Sequence, residues 1–333
     1  MASSDDLVRD PGVLAPVPVL EFFGWSGVRE FGGLAVLPHR REWKEAVGAR
    51  VDAVSLPDRI EGEEFQQAVV HLQKGRAATQ QGLNAAWRHL ETGGRLLLVG
   101  ANELGVKSAV KRLAAELQQS AQIVANRARA RVVAFSKADS AGPALPQVSG
   151  FRVTTPGDAF AVHSAVGVFS ADGVDRGTQL LLDHLDFVDA PHSILDLGCG
   201  LGLLGLAALR RWPTSSAIMA DVDRRAVAAA ERNAAELALT ERSRVVWWDA
   251  TSELPPVAQS DLVLLNPPFH AGKAVDLDPP RAMFRAIEQV LAPGGSALIV
   301  ANRTLPYERE LRGIGRLRPV AERDGFKLLA LTR

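Results

Sequence analysis

A chain of 333 residues with a single cysteine cannot close an internal disulfide, which excludes stapled extracellular scaffolds and fits a reducing compartment. Charge of a prevailing sign is also lacking, since 38 basic and 38 acidic side chains cancel. A protein gripping nucleic acid over its whole surface would be basic; here any such binding must use local patches and weaken as salt rises. No apolar run approaches the roughly 18 residues of a membrane span. The acidic start, Met-Ala-Ser-Ser-Asp-Asp, has no apolar core, so no secretory signal is expected and a cytoplasmic location is. The 47% of hydrophobic residues are enough for two cores of ordinary size.

What is present is concentrated in the second half. The apolar run Asp261-Leu262-Val263-Leu264-Leu265 leads directly into Asn266-Pro267-Pro268-Phe269. At the end of a buried strand, the Asn266 amide oxygen and the Pro267 carbonyl offer two acceptors, and Phe269 offers a stacking plate. The lone pair of a planar NH2 group is delocalised into its π-system, so such a group attacks an electrophile only when both hydrogens are held. Stacking on an aromatic ring adds ~1–3 kcal/mol, and the prolines stiffen the turn without a competing N–H. The bland alternative is a strand, a Pro-Pro turn and a core phenylalanine.

Upstream, Ile194-Leu195-Asp196-Leu197-Gly198-Cys199-Gly200-Leu201-Gly202 is an apolar strand entering a glycine-rich turn, followed by a predicted helix over 203–210. Gly198 and Gly200 let the backbone pass close to a ligand, and the helix N-terminus points amides at it. The run 200–205 also satisfies G-x-G-x-x-G, with Asp221 about twenty residues on, as a nicotinamide dinucleotide site would. Asp196, however, would oppose a pyrophosphate, whereas it suits the ammonium or sulfonium of S-adenosylmethionine. Hydride transfer has no use for an amine clamp either. Asp221, ending a predicted strand over 217–220, is expected on the ribose hydroxyls. Asp249, after a strand over 244–248, is expected on the adenine amine with Ala250 beside it. Asp223 is a second ribose candidate or the N-cap of a helix over 224–237, and Trp248 is an adenine wall or a core indole. Cys199 is a small packing residue. No metal is called for.

Further on, the pattern predicts a helix over 280–291, a stop at Pro293-Gly294-Gly295 and a strand over 297–300. Alternation of strands with helices of ten to fifteen residues makes this an α/β protein with a parallel sheet and ligands at the carboxyl ends of its strands.

These residues carry a resemblance. The chain is similar to the class I S-adenosylmethionine-dependent methyltransferases, and more narrowly to the two-domain ribosomal RNA guanine-N2 methyltransferases of the small-subunit type and their large-subunit relatives. Besides Asp196-Leu-Gly-Cys-Gly and Asn266-Pro-Pro-Phe-His270, the narrower match rests on three blocks: Gly167-Val168-Phe169-Ser170, Asp175-Arg176-Gly177-Thr178-Gln179-Leu180-Leu181-Leu182, and Val300-Ala301-Asn302-Arg303-Thr304-Leu305-Pro306-Tyr307. The resemblance implies transfer of a methyl group to N2 of a guanine in ribosomal RNA, 16S by preference, with Asn266, Pro267 and Phe269 as the clamp and Asn266 also expected to touch the cofactor. It also implies that the segment bearing Phe169 closes over the cofactor. Asp175 stands where a helix over 176–185 should be capped. His270 is read as a substrate contact or a structural residue, because displacement from a sulfonium needs chiefly in-line positioning.

In the first half, 90–99 (Leu-Glu-Thr-Gly-Gly-Arg-Leu-Leu-Leu-Val) echoes 291–300 (Leu-Ala-Pro-Gly-Gly-Ser-Ala-Leu-Ile-Val), the mark of an internal duplication. No Asp-x-Gly-x-Gly turn occurs there, and His71-Leu72-Gln73-Lys74-Gly75 stands where a clamp should be. The expected architecture is two tandem Rossmann-like methyltransferase domains: a degenerate one over 1–140, which the resemblance implies helps bind and orient the RNA, and a catalytic one over 141–333, with the linker near 139–150. Lys107, Lys111 and Arg112 share a helix face, and Arg127, Arg129 and Arg131 are expected to alternate along one strand. The partner is expected to be ribosomal RNA or a ribosomal subunit, and the protein a monomer. Two other readings stay open: a methyltransferase for another planar amine, such as adenine N6 or a glutamine amide, and a non-catalytic RNA-binding assembly factor.

Overall fold

The computed structural model describes residues 7–62, 64–127, 129–139, 141–268 and 277–333. The chain divides into two compact units, Met1–Gln147 and Val148–Arg333. Each contains a seven-stranded sheet, and the two sheets share one topology.

In the first unit the strands are β1 (Val19–Phe22), β2 (Gly33–Val36), β3 (Ala53–Val54), β4 (Phe65–His71), β5 (Leu90–Ala101), β6 (Gln122–Arg127) and β7 (Ala130–Ser136), in the order β3-β2-β1-β4-β5-β7-β6. The helices are α1 (Ser26–Phe31), α2 (Arg40–Gly48), α3 (Arg76–Arg88) and α4 (Val106–Leu117). The first five strands run parallel, and β7 and β6 form an antiparallel edge. Arg127, Arg129 and Arg131 therefore do not share a strand: Arg127 ends β6, Arg129 turns the hairpin with φ 61°, and Arg131 is in β7. Alternation of residue types could not reveal that hairpin, because the turn residue is an arginine rather than a glycine.

The second unit opens with the hairpin β8 (Phe151–Thr155) and β9 (Asp158–Val162). Its main strands are β10 (Ser193–Leu197), β11 (Ser216–Asp221), β12 (Ser243–Trp247), β13 (Ser260–Leu265), β14 (Leu291–Asn302), β15 (Arg316–Arg323) and β16 (Phe326–Thr332), ordered β12-β11-β10-β13-β14-β16-β15. The helices are α5 (Arg176–Leu182), α6 (Leu203–Arg211), α7 (Arg224–Glu236), α8 (Asp278–Val290) and α9 (Glu308–Leu311).

The continuous apolar runs of β10 and β13 suit strands covered on both faces. Ile194, Leu262, Leu264, Leu298 and Val300 pack on one side with α6 and α7, and Leu195, Leu197, Val263, Leu265 and Ile299 on the other with α8. That division is the two-residue alternation of an extended chain. Asp196 falls on the α6 side and is only 1% exposed.

The duplication is borne out residue by residue. β5 and β14 are each twelve residues long, and each begins with a bulged Gly-Gly whose first glycine has a positive φ, 82° at Gly93 and 77° at Gly294. An added Cβ on Gly94 would meet the Glu91 carbonyl at 2.8 Å, and on Gly295 the Ala292 carbonyl at 2.9 Å. The same tight passage thus requires glycine twice.

Candidate active site

The order in which successive strands are added reverses between the parallel neighbours β10 and β13, the switch point where doubly wound sheets open a crevice. The glycine-rich turn follows β10 and the Asn-Pro-Pro turn follows β13, so both candidate motifs flank that crevice.

The turn is anchored on β11. Gly198 and Cys199 donate to the Ala220 carbonyl at 2.8 and 3.0 Å, and Gly200 donates to Asp221 Oδ2 at 2.8 Å. Gly198, Gly200 and Gly202 have φ of 69°, 54° and 82°, backbone that side chains avoid. Over Gly200 a Cβ would find no atom closer than the Phe169 carbonyl at 4.0 Å, so this glycine leaves space on the crevice side. A Cβ on Gly205 would instead collide with Met219 at 2.7 Å, the close helix-to-strand contact that the last glycine of such a motif serves.

Asp196 Oδ2 accepts from the Gly205 amide at 2.9 Å, while buried Asp196 Oδ1 has no partner. Burial pushes this carboxyl up to about 7, with the Gly205 bond opposing the rise and the Asp221 charge adding to it. Asp221 is raised to about 6 by burial, against bonds from the Asp223, Gly200 and Val222 amides and with the Asp223 carboxylate adding to the rise. Burial and the same two carboxylates push the Cys199 thiol well up, which leaves it a packing residue. Asp223 caps α7, accepting from Arg225 N at 2.9 Å, and its carboxylate is gripped by the Arg225 guanidinium. Capping is its role.

Asp249 departs from the sequence reading. Its carboxylate, expected on an adenine amine, accepts from Thr251 N at 2.9 Å, Thr251 Oγ1 at 2.6 Å and Ser252 Oγ at 2.8 Å, shaping its own turn. Ala250 follows in the same turn and packs at the edge of the core. Trp248 is a core indole, 4% exposed, donating to the Leu254 carbonyl at 2.8 Å.

Asn266 is the centre of the second motif. Its Nδ2 donates to Asp175 Oδ2 at 2.8 Å and to Thr178 Oγ1 at 2.9 Å, whereas its buried Oδ1 has no partner. Pro267 is buried and Pro268 exposed; Phe269 and His270 lie outside the described residues. Phe169 is 62% exposed, on a segment whose backbone passes over Gly200. The chain leading into that segment is tied to the glycine-rich turn at His163 by Asn233 of α7, which sequence reasoning missed. Asn233 Oδ1 accepts from His163 N at 2.7 Å, and its Nδ2 donates to the His163 and Leu201 carbonyls. An asparagine on the apolar stripe of a helix was the available signal.

Residues 159–330 match the Methyltransferase small domain family and residues 39–138 the Methyltransferase small domain N-terminal family. A "Ribosomal RNA small subunit methyltransferase C" of Pseudomonas putida is 33% identical, with 98% of this chain and 96% of the relative covered. The chain belongs to this methyltransferase family. A Shewanella baltica protein of the same name is 31% identical over 81% of this chain and 77% of its own length. A T. thermophilus 16S rRNA N2-guanine methyltransferase, solved with AdoMet and guanosine, superposes with a TM-score of 0.85 at 25% identity, covering 99% of this chain and 91% of that one. The methyltransferase is an S-adenosylmethionine-dependent enzyme with a two-domain fold, and the nicotinamide alternative is set aside. Its unpartnered Asp196 Oδ1 and the open face of Gly200 fit a cationic cofactor lying along the turn. Among the described residues no helix is long and apolar enough to cross a membrane.

The first unit of the methyltransferase shows why a second cofactor site is not expected. Glu21 is the penultimate residue of β1, as Asp196 is of β10, and it too accepts helix amides, from Gly27 N at 2.8 Å and Val28 N at 3.1 Å. His71 ends β4, and Asn266 immediately follows the corresponding strand. The register makes the equivalence explicit: Val70 lies opposite Leu98 as Leu265 lies opposite Ile299. Here, however, Glu21 Oε1 is taken by His71 Nε2 at 2.7 Å, and a Cβ on Gly24 would strike that imidazole nitrogen at 2.5 Å. The carboxylate that is unsatisfied in the second unit is satisfied internally in the first. Sequence reading missed Glu21, although an acid inside the apolar strand Val19–Phe22 was a sign of a buried, paired group.

Proposed function

We propose that this methyltransferase transfers the methyl group of S-adenosylmethionine to the exocyclic N2 of a guanine in 16S ribosomal RNA. The observation that carries the reading is Asn266 Oδ1: a buried acceptor without a partner, at the switch point, in a chain whose whole length resembles an enzyme solved with AdoMet and guanosine. Adenine N6 or a glutamine amide would meet the same clamp, but that likeness favours guanine. A non-catalytic assembly factor would have no need of two buried acceptors left without a protein partner.

In this reading Asn266 Oδ1 and the Pro267 carbonyl accept the two hydrogens of the guanine amine, and Phe269 stacks on the ring. Asp196 faces the ammonium of the methionine part, Asp221 the ribose hydroxyls, and Gly198 and Gly200 clear the path along the turn. Asp249 and Ala250 form the turn at the adenine end, and Phe169 covers the cofactor. The bound cofactor supplies a methyl carbon on a sulfonium, so the residues contribute chiefly position, which in pre-organised reactions is worth up to ~7–11 kcal/mol. The target guanine must be unpaired or flipped out, because N2 is held on its Watson–Crick side. The 1–140 domain orients the RNA, with exposed Lys107 and Lys111 beside the half-buried Arg112 on α4 as its basic face. Arg127 is committed to Asp10 by a 2.8 Å bond from its Nε. The enzyme works as a cytoplasmic monomer without a metal.

Mass spectrometry of digested 16S RNA from a strain lacking the gene should show the loss of one N2-methylguanosine, restored by the purified protein with S-adenosylmethionine. An unchanged RNA would transfer the same clamp to another amine. Calorimetry should find one S-adenosylmethionine per chain. A second equivalent, surviving Asp196→Asn, would contradict the filled site at Glu21 and His71.

A further inference from the structure

We infer that Asp175 and Thr178 are positioning residues that lock the Asn266 amide so that only its oxygen can face the substrate amine. The inference rests on the clamp reading and deepens it. An amide side chain carries two N–H donors on one end and an acceptor on the other. Nothing in a strand-end asparagine alone decides which end faces outward.

Here a closed hydrogen-bond triangle decides it. Asp175 Oδ2 accepts from Thr178 N at 2.9 Å and from Thr178 Oγ1 at 3.1 Å. Having donated its only proton to the carboxylate, the Thr178 hydroxyl can meet Asn266 Nδ2 only as an acceptor. Both of its contacts on Asn266, the carboxylate at 2.8 Å and the hydroxyl at 2.9 Å, are therefore acceptors facing a donor. Rotating the amide by half a turn would set Oδ1 against the Asp175 carboxylate and present N–H groups to an incoming N–H2. Bonds to a carboxylate are about twice as strong as neutral ones, so the arrangement is heavily favoured before any substrate arrives.

The triangle is held from behind. Leu180, Leu181 and Leu182 of α5 are buried in the core. A Cβ on Gly177 would meet Val300 Cγ1 of β14 at 2.8 Å, so the glycine lets the first turn of α5 lie directly on the sheet and brings Asp175 within reach of a residue 91 positions away. The segment Asp175-Arg-Gly-Thr178 thus serves as more than a helix start.

The test compares Asp175→Ser, Asp175→Asn, Thr178→Val and Asn266→Ala with the parent, using unmodified 16S RNA as substrate and following kcat, S-adenosylmethionine Kd and Tm. Serine caps a helix about as well as aspartate but cannot reach Asn266, whereas asparagine keeps an acceptor there. Asp175→Ser should lower kcat about 10–100-fold, Thr178→Val less, and Asp175→Asn should recover most of the rate. Cofactor Kd should stay within about twofold throughout. If Asp175→Ser does not fold, Thr178→Val decides, since it leaves the backbone cap bond intact. Asp175→Ser and Thr178→Val at full kcat beside an inactive Asn266→Ala would overturn the inference and leave the clamp standing. Rates that fall only in step with Tm or cofactor binding would also overturn it. Full activity in Asn266→Ala would remove the clamp itself.

Discussion

Asn266→Ala should lower kcat about 10²–10³-fold, the usual cost of removing one pre-organised hydrogen-bonding partner from a reacting group, while leaving S-adenosylmethionine affinity nearly intact. The reasoning starts from the unsatisfied Oδ1. No protein group takes this acceptor, so it is available to a donor on the substrate, and alanine removes it. Asp196 lies in β10 and the glycine-rich turn follows that strand, whereas Asn266 follows β13, so cofactor binding should not depend on the amide. Asn266→Asp should be no better, because it replaces the donor facing Asp175 with a second carboxylate. Single-turnover transfer of labelled methyl groups into 16S RNA would read the effect without interference from product release. A full rate in Asn266→Ala would sink the mechanism.

The second large effect is expected at Asp196, where activity and stability should move in opposite directions. Asp196→Asn should weaken S-adenosylmethionine binding about 10²-fold, or about 3 kcal/mol, yet stabilise the ligand-free protein at pH 8. The sign follows from linkage. The folded carboxyl titrates near 7 against an ordinary value of 3.8, so between those limits the folded state holds a proton that the unfolded state has lost. Stability therefore falls as pH rises through that window and stays reduced above it. Asparagine cannot ionise, so it abolishes this loss: the stabilisation should be full at pH 8 and vanish toward pH 4. Binding has the opposite sense. A cationic ligand favours the ionised carboxylate, so affinity should rise with pH up to about 7 and flatten in the variant, apart from a smaller step from Asp221 near 6. Thermal melts at pH 4, 6 and 8 with and without S-adenosylmethionine would show both effects. Unaltered affinity in Asp196→Asn would remove the carboxylate from the cofactor's charge.

Much of the site was legible because its signals are local. A glycine needed for positive φ, an acid two residues before it and an asparagine ahead of two prolines are each short-range statements, and the parallel sheet then carries them to one crevice. Asp223 as a cap is equally local. Asp249 shows the limit of reading residues one at a time: in Asp249-Ala-Thr-Ser252 the hydroxyls two and three positions on were available to its carboxylate, and local side-chain bonding of this kind competes with any outside partner. The arginines at 127, 129 and 131 were misplaced because a hairpin whose turn lacks glycine leaves little trace in alternation.

By itself the sequence determined the fold class, the duplication and the cofactor chemistry, and it singled out the Asn-Pro-Pro segment proposed as the amine clamp, because strand periodicity, glycine turns and proline-stiffened segments act within a few residues. Only the tertiary structure decided what each side chain is bonded to at long range. Asp175 meets Asn266 across 91 positions, and Glu21 meets His71 across 50. Whether a buried carboxylate is satisfied from within, as at Glu21, or left with a bare oxygen, as at Asp196, depends on which strand end the sheet places beside it. Hydrogen-bond satisfaction is a property of neighbours in space, and that difference separates the filled site of the first unit from the open one of the second.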